Sequence, residues 1–345
     1  MNIGGLQMKI RKYSTLAKLH AGDMHPIDES FAELKLIRAA VRGDAEGAAA
    51  LFGACKQFTN LPCAIDTPYK RYEGIEGVKR FAEEFLAVFH ADSAEIIPVI
   101  QTRAGGRSVT ELQLDMVIDG MIDQVPMFVV ADLRGEAQLD EVRIYFRFAY
   151  VEGLQAYRRP LFTPAHLEVN DPDLLSGAVR EYFYALHTAP HADVERILNC
   201  TDPVCQFGGY EIADPAEYDA AHWPETSDEI AQNADYLRQK YTRMSAYIPN
   251  GVAMRFETVI DDGKNAVLEW IHIISKTGQE KYGRIAMGGV SSYERGSDGR
   301  LRSIRICDYA GQEGTIDWSR TDTTLEAARK VHVVPVFPSG VGQKK

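Results

Sequence analysis

Nowhere do 18 consecutive apolar residues occur in the 345-residue chain, so no segment reads as a helix able to span a hydrocarbon core about 30 Å thick. Lys9, Arg11 and Lys12 are not followed by a continuous apolar stretch, so the N-terminus does not read as a secretory signal. Cysteine is scarce. Its five positions (Cys55, Cys63, Cys200, Cys205 and Cys307) are odd in number and show no CxxC spacing. That usage supports neither a disulfide framework nor a structural zinc site, and it suits a reducing cytoplasm. His187 and His191 are four apart, but Pro190 breaks the helix on which such a pair could ligate a metal. A Gly-rich phosphate loop and a GxSxG elbow are also lacking. No metal and no cofactor is therefore expected. Basic charge is short as well. With a net charge of −11 and no basic patch, the chain has no counterion-release route to nucleic acid. Arg300, Arg302 and Arg305 alternate along a predicted strand, where a solvated face accounts for them.

What is present fits an ordinary globular protein, 45% hydrophobic and 25% charged, and long enough for two cores rather than one. Residues 1–27 show no sustained period and read as a tail. Asp28 is a plausible N-cap before Phe31, Leu34, Ile37, Ala40 and Val41, which recur at helical spacing. Gly43-Asp44 breaks that helix, 45–52 forms a short second one, and 75–89 a third. The period then changes to two: Leu112, Leu114, Met116 and Ile118 alternate with polar residues as in a half-buried antiparallel strand. Strands at 127–133 and 142–150 follow. Helices before an antiparallel sheet make an α+β unit.

After a Pro-containing stretch at 159–171 the same order returns. Helices are predicted near 175–186, 193–198 and 230–241, and strands at 252–260, 266–275, 282–293 and 301–309. Asp44-Ala-Glu matches Asp193-Val-Glu at an offset of 149 residues, and Gln57-Phe58 matches Gln206-Phe207 at the same offset. Leu139 to Ile144 matches Leu301 to Ile306 at an offset of 162. Three ordered matches, each at the equivalent element, argue for duplication. The chain then divides into a tail (1–27), a first domain (28–158), a linker (159–171), a second domain (172–318) and a C-terminal tail (319–345).

The segment Arg42-Gly43-Asp44 to Leu51-Phe52, with Tyr72-Glu-Gly74 to Val78 and Phe81, resembles the SnoaL-like and ketosteroid-isomerase-like branch of the nuclear-transport-factor-2-like proteins. Val179-Arg-Glu-Tyr182 and Gly299-Arg-Leu301 resemble the same family in the second half. The resemblance implies two tandem cone folds, in each of which N-terminal helices pack into a curved antiparallel sheet around an apolar cup. It also implies acid/base chemistry in some members and plain binding or dimerisation in others. Fold alone does not choose between them.

The family's helix-1 tyrosine maps to Tyr182, and to Leu36 in the first half. Its catalytic base maps to Asn60 and Phe207, and its neutral acid to Val129 and Ser291. The full ketosteroid isomerase set is thus absent. Asp308 shares a predicted strand face with Ile304 and Ile306, where an acid should have a raised pKa unless a partner offsets its desolvation. His272 alternates with Trp270 on one face and Glu269 lies on the other, so one of these faces lines the cup. The insert around 208–226 brings Tyr210, His222 and Trp223 and reads either as a lid or as a surface excursion. The expectation is a small apolar molecule in the second cup. In an acid/base enzyme Asp308 and Tyr182 would be the catalytic pair, with His272, Trp270, Tyr210, His222, Trp223 and Asn60 binding the molecule; the alternative is a non-catalytic binder or a protein-interaction scaffold that uses the sheet faces. The two halves would pair as an intramolecular pseudo-dimer, with a homo-oligomer as a further state.

Overall fold

Two aspartates 149 positions apart start the same element in each half of the chain. Asp44 accepts a hydrogen bond from Gly47 N at 2.8 Å and caps helix α2 (Ala45–Leu51). Asp193 accepts one from Arg196 N at 3.0 Å and caps α5 (Val194–Cys200). The sequence match therefore has a physical cause: an N-cap carboxylate satisfies a backbone donor that the helix leaves unpaired.

The computed structural model describes residues 9–14, 26–53, 63–68, 70–146, 175–188, 190–209, 212–213, 226–245, 252–274 and 285–312. At 9–14, 206–209, 212–213, 252–255, 257, 271–274, 285–288 and 308–312 it describes the backbone alone. The chain forms two compact units, Met1–Gln155 with Tyr210–His222, and Ala156–Gly209 with Trp223–Lys345. No helix among the described residues is long and apolar enough to cross a membrane.

In unit 1, α1 (Ala32–Val41) and α3 (Gly74–Val88) pack on one sheet, and α2 packs on these two helices. Its strands are β1 (Lys9–Ser14), β2 (Ala64–Asp66), β3 (Arg71–Glu73), β4 (Ser93–Ala104), β5 (Arg107–Ile118), β6 (Met121–Arg134), β7 (Gln138–Tyr145) and β9 (Ile212–Ala213). The main run is β4-β5-β6-β7-β2-β3, antiparallel except for the parallel β7–β2 step. Helical spacing on α3 buries Val78, Phe81 and Phe85, and Phe89 follows at its C-cap. The three rings meet edge to face at 5.3 and 5.5 Å, and Phe146 lies 5.0 Å beyond. Gly77 is required there, because a Cβ would come within 2.9 Å of the Tyr72 carbonyl carbon.

Three expectations change. Asp28 does not cap α1; Phe31 holds that place, while Asp28 Oδ1 accepts from Ser30 N at 2.8 Å in a local turn. The N-terminal tail contains a strand, β1, parallel to β6 and antiparallel to β9. A further strand, β4, includes Pro98; among the described residues it pairs with β5 alone, and an edge strand tolerates a residue without an N–H.

Unit 2 repeats the plan with α4 (Gly177–Leu186), α5 and α6 (Ser227–Met244), the last begun by a Thr226–Glu229 capping box. Its sheet runs β10 (Val252–Asp261), β11 (Asn265–Ile274), β12 (Ile285–Arg295), β13 (Leu301–Gln312) and β8 (Thr201–Gly209), with a parallel β13–β8 step that matches β7–β2. Even the irregularities recur. The bulge at Pro98/Ile100 has its counterpart at Phe256/Thr258, and that at Asp132/Leu133 at Glu294/Arg295. Bulges bend a strand at a defined point, so the two sheets turn at matching places.

The solvated-face reading of Arg305 is wrong. Arg305 is fully buried, held by Glu294 at 2.9 Å, Ser303 at 2.7 Å and Ser292 at 2.9 Å. Its counterpart 162 residues earlier, Arg143, is buried against Asp132 at 2.7 Å, which Arg107 also holds at 2.8 Å. Burial pushes the Asp132 carboxyl up, yet the two guanidiniums override it and hold the pKa at about 2. Alternation along a strand says which residues share a face; it does not say whether water reaches that face.

Candidate functional site

The face of β11 that enters the core is now decided. Leu268 and Trp270 belong to the buried cluster of unit 2. Glu269 lies on the other face, also buried, and accepts from Thr258 Oγ1 at 2.5 Å. Helix α4 brings Tyr182, Phe183 and Leu186 to the cluster, α6 brings Leu237 and Tyr241, and β12 and β13 bring Tyr293 and Ile304.

Several polar groups lie within this buried cluster. Trp270 Nε1 donates to Ser291 Oγ at 2.5 Å, and Ser291 also acts on the Tyr293 phenol. The Tyr182 and Tyr241 phenols adjoin and act on each other electrostatically. The rings interlock: Tyr182 lies 5.5 Å from Tyr293, 5.8 Å from Tyr241 and 5.1 Å from Phe183, which lies 4.7 Å from Phe256. Burial raises all three phenols above their ordinary pKa. They stay protonated at working pH and act as hydrogen-bond donors, not as bases. His187, the C-cap of α4, makes a 3.0 Å bond between Nδ1 and the Phe183 carbonyl, and burial lowers its pKa to about 4. Burial also pushes the Cys200 thiol up to about 12, which leaves it unreactive. Each of these groups is neutral at pH 7.

Unit 1 supplies an internal control. Asp44 N bonds to Ala39 O and Asp193 N to Ala185 O, at 2.9 and 2.8 Å, which makes Leu36 the counterpart of Tyr182. Strand pairing fixes the others. Leu112 opposite Met127 matches Trp270 opposite Gly289, Val129 opposite Ile144 matches Ser291 opposite Ile306, and Ala131 opposite Val142 matches Tyr293 opposite Ile304. Four hydrocarbon residues of one core are thus an indole and three hydroxyls in the other.

Of the sequence-derived site residues, Tyr182 and Trp270 both lie in this buried cluster. Asp308 pairs through its backbone with Gly289, completing the row Phe256–Trp270–Gly289–Asp308; His272 pairs with Met254. The side chains of Asp308 and His272, and the whole of Asn60, Tyr210, His222 and Trp223, lie outside the described residues. Tyr241 and Tyr293 were missed. Their signals were the i, i+4 step from Leu237 to Tyr241 and the two-residue step from Ser291 to Tyr293. No group of metal-ligating side chains occurs among the described residues.

No family model matches the chain, and no curated protein does. Solved structures do. The chain is similar to cone-fold proteins of the nuclear-transport-factor-2-like kind. One, from Catenulispora acidiphila, has a ketosteroid-isomerase-like fold and was solved with trimethylamine; it is 16% identical over 34% of this chain and 88% of its own, with a TM-score of 0.28. Another is a putative SnoaL-like polyketide cyclase from Jannaschia, 19% identical over 37% of this chain and 95% of its own, TM-score 0.25. A third, from Kribbella flavida, is 12% identical over 36% and 93%, TM-score 0.28. Neighbours this distant say nothing about chemistry.

Proposed function

We propose that the chain is a tandem duplication of a cone-fold unit in which unit 2 keeps a cup for a small, mainly apolar molecule bearing an acceptor oxygen. The observation that carries this reading is the replacement of Leu36, Leu112, Val129 and Ala131 by Tyr182, Trp270, Ser291 and Tyr293 at equivalent core positions. The first set supports the fold as pure hydrocarbon. Burying hydroxyls in the second costs desolvation that only partners recover, so a use for donors offsets it. Neutral phenols suit a ketone, quinone or ether oxygen better than an anion, which would need a cation beside it.

In the enzymatic form of the proposal, Asp308 is the acid/base and Tyr182 orients the ligand oxygen. Binding without turnover and a scaffold role for the sheets are the competing readings, and the interlocked rings of the unit 2 core favour the scaffold. Neutral polycyclic ketones and phenols are to be titrated into the full chain, following tryptophan fluorescence and thermal stability. Writing the unit 1 residues into unit 2 (Tyr182→Leu with Ser291→Val) should abolish binding while the fold persists. Ligand binding that survives this exchange would remove the cup from the proposal. Given a turnover assay, Asp308→Asn should lower kcat by about 10²–10⁴, and an unchanged kcat leaves binding alone. The pairing of the two halves as a pseudo-dimer is likewise proposed. Halves that are each stable and fail to associate when expressed separately would refute it.

A further inference from the structure

Unit 1 has a polar group of its own at a different depth of the same core. Glu33, in the first turn of α1, is fully buried. It accepts from Ser108 Oγ at 2.6 Å and from Thr110 Oγ1 at 3.0 Å, both on β5. Opposite these two residues on β4 stand Arg103, paired with Ser108, and Gln101, paired with Thr110. Gln101 ties the turn before the helix: Oε1 accepts from Asp28 N at 2.7 Å and Nε2 donates to Asp28 O at 3.1 Å. The Arg103 guanidinium lies over the Phe31 ring at 4.0 Å. Its Nε and Nη2 atoms are buried, and neither makes a hydrogen bond to the described residues. The charge is close enough to act on both Glu33 and Asp28 without pairing with either.

None of this is needed to build the fold. Strand pairing makes Val259, Asp261, Ala266 and Leu268 the counterparts of Gln101, Arg103, Ser108 and Thr110, and the helix offset makes Val179 that of Glu33. In unit 2 the Glu33, Gln101, Ser108 and Thr110 places are apolar, and Asp261 is ion-paired with Arg295 at 2.9 Å. Nε and Nη2 form one edge of a guanidinium, the fork that receives two oxygens of one oxyanion. Buried donors without acceptors are rare, and each calls for an occupant or a use.

We propose that this end of the unit 1 core is a second binding site, in which the Nε–Nη2 edge of Arg103 receives the carboxylate of a small organic acid. Phe31 stacks on the guanidinium face and supplies an apolar wall for the rest of the acid. Glu33 keeps its two hydroxyl donors and leaves the fork to the ligand. Entry opens the two Asp28–Gln101 bonds, which hold an exposed turn of low local stability. This site is independent of the unit 2 cup.

The test uses the full chain at pH 7. Acetate and benzoate are added at constant ionic strength against chloride, and melting temperature is followed. A saturable rise is expected. Arg103→Met should abolish it, and Arg103→Lys, which keeps the charge but lacks the fork, should weaken the apparent affinity roughly tenfold. Circular dichroism before ligand addition shows that both variants are folded. Tyr182→Phe should keep the response, which separates this site from the cup. Three results overturn the proposal: an equal effect of chloride, a response that persists in Arg103→Met, or saturation by inorganic phosphate with none by carboxylates.

Discussion

Replacing Glu33 by Gln should change how stability depends on pH, and the sign follows from its surroundings. Burial is the largest influence on the Glu33 carboxyl and raises its pKa, while the Ser108 and Thr110 hydroxyls and the Arg103 charge pull it down. A native pKa above the unfolded value of about 4.3 means that the native state holds the proton more tightly. The stabilisation is full below the unfolded pKa and is lost as pH rises through the native pKa. Each pH unit in that window costs wild type about 1.4 kcal/mol, and Gln, an uncharged near-isostere, pays none of it. Urea unfolding followed by far-UV circular dichroism from pH 4 to 8 reads the difference. Glu33→Gln should match wild type near pH 4 and gain on it as pH rises. The hydroxyls can be tested in the same series. Ser108→Ala should cost about 1.5–3 kcal/mol where Glu33 is ionised and about 1 kcal/mol in the Gln background, since bonds to charged groups are the stronger ones. Parallel wild-type and Glu33→Gln curves across the whole range would refute the reasoning.

Arg305→Met should destabilise the fold by about 3–5 kcal/mol, because it leaves Glu294 buried without its cation; adding Glu294→Gln should recover part of the loss. Equal stability of the single and double variants in urea would contradict that account. Wild type should lose stability as pH falls from about 6.5 through about 4, since burial depresses the His187 pKa and the unfolded state takes up the proton first. His187→Gln should flatten that limb by up to about 1.4 kcal/mol per pH unit, and an unchanged limb assigns the loss elsewhere. Asp193→Ala and Asp44→Ala each remove an N-cap and should cost about 1 kcal/mol; a difference near zero for both would deny the matched caps a structural role.

The period-two and period-3.6 patterns of the sequence located most helices and strands, and the Asp44/Asp193 and Arg143/Arg305 matches fall at equivalent elements of the two units. Caps and strand faces are local properties, set by bonds and side-chain directions within a few residues, so a sequence can display them. Tyr182 was set against Leu36 by the resemblance to the family's first helix, and the matched Asp44–Ala39 and Asp193–Ala185 bonds place them at the same position in the structure. Pro98 hid β4, because Pro is forbidden in most of a sheet and allowed at its edge, and only the pairing order makes a strand an edge. Arg305 looked solvated for a related reason: alternation assigns a face, and only tertiary packing determines what covers it. The Tyr182–Tyr241 pair and the meeting of Glu33 with Ser108 and Thr110 join residues 59, 75 and 77 positions apart. Contacts of that range depend on how helices lie across the sheet, a choice that no local propensity encodes.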